Sequence, residues 1–191
     1  MAQTDYFINR GLSKETIDRF NLGYDPEKNL VTIPYNPDCK GYVHRILWGS
    51  DNKYCKFGNE IFNIKALYSQ GIDKFLFGND EYIFVTEGQI DALSFEEIGL
   101  SAIGLGGVNE IKKLVGLIKK ASSDKIFILA LDNDKAGSRA TGKFIEELAE
   151  AELDQKYIVI SDIYGKYKDA NEFLIADREG FIERMKTIVN K

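Results

Sequence analysis

The stretch IFILALDNDKAG, residues 126–137, decides the fold. An apolar run from Ile126 to Leu131 stops abruptly at two acids, Asp132 and Asp134. Lys135, Ala136 and Gly137 follow, and then a helical pattern through Phe144, Ile145, Leu148 and Ala149. A short run rich in branched and aromatic side chains, polar on neither face, reads as a buried parallel strand. Asp132 and Asp134 therefore sit where a parallel strand hands over to a helix, the edge at which open α/β sheets bind ligands. Alternation sets both acids on one side of the extended link and Asn133 on the other. Two acids this close repel unless a cation lies between them, and a hydrated Mg²⁺ suits such oxygen ligands. The same residues also make an ordinary turn and N-cap, with acids favoured by the helix dipole.

The flanking segments repeat the unit. Tyr82-Ile83-Phe84-Val85-Thr86 is a strand ended by Glu87-Gly88, and a helix follows with Ile90, Leu93, Ser94 and Ile98 on its inner face. Residues 101–104 form a second strand, Leu105-Gly106-Gly107 a turn, residues 108–120 a helix, and residues 156–160 the fourth strand. Regular alternation of strand and helix gives an α/β fold, a parallel sheet with helices on both faces. In that arrangement Glu87, Asp132 and Asp134 reach one edge, and Asp91 lies a helical turn beyond Glu87. Asp169 follows in a loop after the fourth strand. So many acids on one edge are unfavourable without cations, and the turn at 104–107 lets a phosphate or metal approach the backbone closely.

The first third of the chain has a different pattern. A short helix, residues 6–10, is ended by Gly11; Ser13 is an N-cap, with Leu12 and Ile17 placed as a hydrophobic staple. Residues 30–35 read as a strand with Pro34 near its end, 36–40 as a turn and 41–48 as the returning strand. Arg45 shares a face with Val43 and Leu47. Its side chain either runs along the sheet to water or points into a groove suited to an anion. Lys53, Lys56 and Lys65 follow, interleaved with Tyr54 and Phe57. That mixture suits phosphate and base contacts, and equally an ordinary solvated face. Residues 61–68 read as a small helix or turn. The change of pattern around 71–80 marks a boundary between a small mixed α+β unit, residues 1–78, and an α/β unit, residues 79–191.

Apolar residues make up 44% of the 191 and aromatics 12%, ample for packed cores. A net charge of −5, from 25 basic and 30 acidic residues, argues against attraction to nucleic acid by bulk charge and leaves a local basic groove open. Cys39 and Cys55 form no C-x-x-C pair and His44 is the single histidine, so this chain encodes no zinc finger. Lone cysteines without a signal peptide point to the cytoplasm. No apolar run approaches the length of a membrane span.

Thr86-Glu87-Gly88-Gln89-Ile90-Asp91-Ala92-Leu93, then Gly104, then Leu131-Asp132-Asn133-Asp134-Lys135-Ala136-Gly137 closely resembles the Toprim domain of primases, topoisomerases and some nucleases. Lys168-Asp169-Ala170-Asn171-Glu172 resembles a loop of primases, particularly the primase half of phage-type primase-helicases. Phe7-Ile8-Asn9-Arg10-Gly11-Leu12-Ser13, Phe20-Asn21-Leu22-Gly23-Tyr24, Ile33-Pro34-Tyr35, residues 41–45 and Lys53-Tyr54 resemble the start of the bacterial (DnaG-like) primase catalytic core. The resemblance spans nearly the whole chain and implies a Rossmann-like Toprim domain with a mainly parallel four-stranded sheet. Asn171 departs from it, standing where many primases have another acid. The zinc-binding template module and helical C-terminal part of a full primase are not recognised, so a fragment or a minimal relative is expected.

The resemblance implies template-directed synthesis of short RNA primers on single-stranded DNA from ribonucleoside triphosphates, by metal-dependent nucleotidyl transfer. Glu87, Asp91, Asp132 and Asp134 are then the catalytic acids, with Glu87, Asp132, Asp134 and Asp169 at Mg²⁺ or Mn²⁺. Glu87 is either a ligand or a general base. Arg45 and Lys53 match basic residues near the primase active site; Lys65 matches through either of two alignments. A replicative helicase or further domains of a longer chain are the expected partners. Two other readings use the same residues: a Toprim-type nuclease that activates water, and a nucleic-acid-binding module without turnover.

Overall fold

Strand residues that alternate between two apolar faces need a layer of helices on each side, and the second half of the chain is built this way. The computed structural model describes residues 5–27, 30–34, 42–46, 55–57, 79–122, 124–153, 157–160 and 162–190. Two four-stranded sheets are present among them. The first is antiparallel: β1 (Gly23–Asp25), β2 (Leu30–Pro34), β3 (Tyr42–Ile46) and β4 (Cys55–Phe57), in sequential order. It follows two short helices, α1 (Asp5–Asn9) and α2 (Lys14–Arg19). The expected turn at 36–40 and the helix or turn at 61–68 lie outside the described residues.

The second sheet is parallel throughout, in the order β6-β5-β7-β8. Its strands are β5 (Tyr82–Thr86), β6 (Ala102–Gly104), β7 (Ile126–Leu129) and β8 (Tyr157–Val159). The helices are α3 (Gln89–Glu97), α4 (Ile111–Ala121), α5 (Lys135–Glu150), α6 (Ala170–Ala176) and α7 (Arg178–Val189). Ile83, Val85, Ile103, Phe127 and Leu129 face one core with Leu114 and Ile118 of α4 and Phe144 and Leu148 of α5. Phe84, Ala102 and Ile128 face the other, with Phe95 of α3, Leu174 of α6 and Phe181 of α7. The helix expected over 108–120 opens instead as a 3-10 turn, Val108–Glu110, before α4 begins. β8 is an edge strand, so Ile158 and Val159 stay exposed although their sequence reads as buried.

The N-terminal helices join the second core. Phe7, Leu12, Leu22, Val31 and Ile33 are buried in the same cluster as Phe173 and Leu174. Ser13 caps α2, its side chain accepting from the Thr16 amide at 3.2 Å. Gly11 has φ +77, and a Cβ there would stand 3.3 Å from Leu174 Cδ2, so both conformation and packing call for glycine. The clamp is Glu97 at the end of α3. Its Oε2 accepts from the Ser13 amide and hydroxyl, both at 2.9 Å, and its Oε1 from the Arg178 guanidinium. Arg178 also donates to the Gly11 carbonyl at 2.9 Å.

Burial alone would push the Glu97 carboxyl up, but hydrogen bonds from Thr16, Ser13 and Arg178 hold it below 4.5. A carboxylate lowered by folding stabilises the fold fully above its ordinary value and less as pH falls through the folded one. Acid unfolding of wild type should therefore carry a Glu97 contribution that begins below about pH 4.5. Glu97→Gln should cost about 1–3 kcal/mol at pH 7 and show a shallower acid decline, read from urea unfolding across pH. An unchanged decline would show that the clamp does not hold the N-terminal helices.

Candidate active site

Each acid reaches the edge through a different local rule. β5 ends at Thr86, whose hydroxyl donates to the Gly88 carbonyl at 2.9 Å, and the next residue is Glu87. β7 stops at Leu129; one more ladder bond, from the Ala130 amide to the Val85 carbonyl at 2.9 Å, delivers the chain to Asp132. Asp134 is the N-cap of α5, its Oδ1 accepting from the Ala136 and Gly137 amides at 2.7 and 2.9 Å. Asp169 is likewise the N-cap of α6, accepting from the Glu172 amide at 2.7 Å. The capping role that the sequence allowed for these acids is thus present, alongside their gathering at one edge.

The loop after β8 completes the edge. Tyr164 is buried beneath it and its hydroxyl donates to the Ala130 carbonyl at 2.6 Å. Arg184 of α7 holds the Ile163 carbonyl at 2.6 Å. Asn133 donates its side-chain amide to the Gly165 and Tyr167 carbonyls at 3.0 and 3.2 Å, and its backbone amide to the Lys168 carbonyl at 2.6 Å. This places the Lys168 ammonium 2.9 Å from Asp132 Oδ2 and 3.7 Å from Asp134 Oδ2. In the sequence Lys168 differs from the neighbouring Lys166 only in standing directly before Asp169.

The acids differ in character. Asp134 is held below its ordinary value by the Gly137 and Ala136 amides. Asp132 is raised by burial, against the opposing Lys168 hydrogen bond. Glu87 is raised by burial and then by Asp132. Asp91 is pushed up to about 8, by burial first and then by Asp169 and Asp132. Its Oδ1 accepts from the Asn171 amide at 3.2 Å. Asn171 is itself buried; its side chain donates to the Arg10 carbonyl at 2.8 Å and to Ser94 at 3.0 Å, and accepts from Arg10 Nη1 at 3.0 Å.

Among the described residues, no three Asp, Glu, His or Cys side chains are arranged to hold a metal ion as they stand. Two observations nevertheless fit the edge to a hard cation. Glu87 Oε1 is buried without a hydrogen-bond partner, which is costly unless an ion or water meets it. The Lys168 ammonium already occupies the position of a cation between Asp132 and Asp134. A shallow cleft beside Asp134 is lined by Asn133, Lys135, Ser138 and Arg139, which adds two basic residues to the edge. Of the expected basic residues, Arg45 lies in β3 in register with Val31, and its side chain, like Lys53 and Lys65, lies outside the described residues.

Residues 84–174 match the Toprim-like family. The DNA primase of Thermotoga maritima is 26% identical to this chain over 95% of it, and the chain spans 38% of that relative's length. The primase fragment of the bacteriophage T7 primase-helicase superposes with a TM-score of 0.66 at 24% identity, covering 95% of this chain and 72% of that one. A DnaG primase catalytic domain solved bound to single-stranded DNA gives 0.69 at 20%, covering 96% and 72%. The acid-bearing edge of the parallel sheet lies within the residues, 84–174, that match the Toprim-like family. The chain as a whole has the fold of the DnaG-like primase catalytic core.

Gly137 fixes the distance between α5 and this edge. A Cβ there would lie 1.9 Å from the Asp132 carbonyl oxygen, so any other residue forces the helix start away from Asp132. Gly142, one helical turn and a residue further on, meets nothing within 4 Å. Gly137→Ala should destabilise by about 1–3 kcal/mol and Gly142→Ala should stabilise by about 0.5–1 kcal/mol, both read from denaturant midpoints. The same sign for both would remove the close approach as the reason for glycine.

Proposed function

We propose that this chain is the catalytic core of a DNA primase, joining ribonucleotides on a single-stranded DNA template. The observation that carries the reading is the carboxylate edge of a Toprim-like domain set within a primase-core fold, with a buried, unpartnered Glu87 oxygen beside the Asp132–Asp134 pair. Glu87, Asp132 and Asp134 would hold Mg²⁺ or Mn²⁺, with Asp169 beside them. A divalent ion bound there supplies charge stabilisation for the attacking and leaving oxygens.

In the reaction a 3′-hydroxyl attacks the α-phosphate of the incoming triphosphate. A new P–O bond forms, the bond to pyrophosphate breaks and the hydroxyl proton is released. Lys135 and Arg139, with Arg45, Lys53 and Lys65, offset the charge of triphosphate and template backbone. Asp91, which accepts from the Asn171 amide, completes the acid cluster beside Glu87. The chain spans under two fifths of the length of the primases it matches. A replicative helicase or further domains would add grip on DNA. The T7 relative, a primase joined to a helicase, supports that partnership. A cytoplasmic site of action accords with this role, and among the described residues no helix is long and apolar enough to cross a membrane.

The test is incorporation of labelled ribonucleotides on a defined single-stranded template, with a nuclease assay beside it. Asp132→Asn should lose at least about 100-fold in incorporation and bind Mn²⁺ more weakly by calorimetry, while staying folded. Cutting of DNA without nucleotide, in place of incorporation, would make the protein a nuclease instead. Arg45→Ala and Lys53→Ala should weaken template binding and each lower the slope of log affinity against log salt by about 1. Unaltered slopes would remove both residues from the nucleic-acid surface.

A further inference from the structure

We propose that Lys168 is the resident counter-cation of the Asp132–Asp134 pair, bound there in the metal-free protein and displaced when a divalent ion enters. The inference rests on the metal-site reading above and adds to it a residue that competes with the metal.

Geometry is the first support. The ammonium donates to Asp132 Oδ2 at 2.9 Å and lies in ion-pair range of Asp134 Oδ2 at 3.7 Å, so it takes a lone pair on Asp132 and stands where a metal bridging the two carboxylates would sit. Two cations cannot share those oxygens at contact distance without strong repulsion. Metal entry therefore requires the ammonium to leave.

The second support is that it can leave cheaply. The Lys168 backbone is fixed independently of its side chain: its carbonyl accepts from the Asn133 amide and its amide donates to Glu172 Oε2, both at 2.6 Å. Tyr164 and Arg184 anchor the same loop from below. The Lys168 side chain is 56% exposed, against 17% for Asp132. The ammonium can thus swing into water on its four-carbon stem while the loop, and Asp169 after it, stays in place. Glu87 Oε1 points to what replaces it, since that oxygen is buried and has no hydrogen-bond partner while Lys168 is in place.

Two consequences separate this role from a passive surface lysine. Lys168 relieves the repulsion between the acids when no metal is bound, and it lowers apparent metal affinity because each binding event must break its ion pair. The experiment is Mn²⁺ titration by calorimetry, with thermal midpoints in EDTA, on wild type, Lys168→Met and Lys168→Arg. Lys168→Met should bind Mn²⁺ about two- to fivefold more tightly, the equilibrium counterpart of a part-exposed ion pair. It should also melt lower in EDTA and recover the loss when Mn²⁺ is added. Lys168→Arg, which keeps the charge, should behave as wild type in both measurements. Unchanged or weaker Mn²⁺ binding by Lys168→Met overturns the proposal while leaving the metal site standing. Tighter binding by both variants overturns it as well, because charge would then not be the cause. Absence of Mn²⁺ binding in all three proteins removes the metal reading and this proposal with it.

Discussion

Carboxylates crowded at the carboxyl edge of a parallel sheet repel one another, and the surrounding structure deals with that repulsion by a separate means at each position. Asp134 spends its charge on two amides of the α5 N-terminus, where the helix dipole favours an anion. Asp169 accepts from one amide, that of Glu172, at the start of α6. Asp91 accepts from the Asn171 amide, with Arg10 nearby. Asp132 takes the ammonium of Lys168. Glu87 alone keeps a buried oxygen with no partner. The edge is therefore balanced everywhere except where Glu87 meets the Asp132–Asp134 pair, and that gap is the natural entry point for a cation.

Holding this balance requires rigid supports, because hydrogen bonds and close ion pairs weaken quickly as their partners separate. They come from both apolar layers. β5 and β7 lie at the centre of the sheet and are buried on both faces, so the ends carrying Glu87 and Asp132 are fixed from two sides. Gly137 lets α5 start in contact with the Asp132 carbonyl. Asn133, between the two aspartates and pointing away from them, ties the strand end to the loop that carries Lys168 and Asp169. In DNDKAG the uncharged residue is thus as structural as its neighbours are electrostatic.

The sheet and its edge were legible in the sequence because both follow from where the apolar runs stop. Continuous apolar runs broken by acids at their ends specify buried parallel strands, and the alternation of side chains sets the side on which the acids emerge. The Ser13 cap and the end of β2 at Pro34 followed from equally local rules. What escaped was set by tertiary position. The edge place of β8 leaves Ile158 and Val159 exposed, and nothing within that strand distinguishes it from a central one. Lys168 lies 36 and 34 positions from the acids it joins, so no spacing rule pairs them. The Glu97 clamp joins Ser13 to Arg178 across nearly the whole chain, and only the shared core brings those segments together.

Asn171 shows how a departure from a family pattern can be read physically. Its side chain donates to the Arg10 carbonyl and to Ser94, and accepts from the Arg10 guanidinium. A carboxylate at this position could accept from Arg10 but could not donate to the carbonyl, which would lose its bond and face an anion instead. Buried beside Asp91 and Asp169, it would also add charge to the part of the edge least able to bear it. The amide removes that charge and gains a two-way latch between the N-terminal helices and α6. Arg10 is thereby held near Asp91, where its positive charge eases the burial of that carboxyl. The substitution of amide for acid thus moves one element of the edge from charge to architecture, and makes the docking of the N-terminal segment part of what keeps the remaining acids in register.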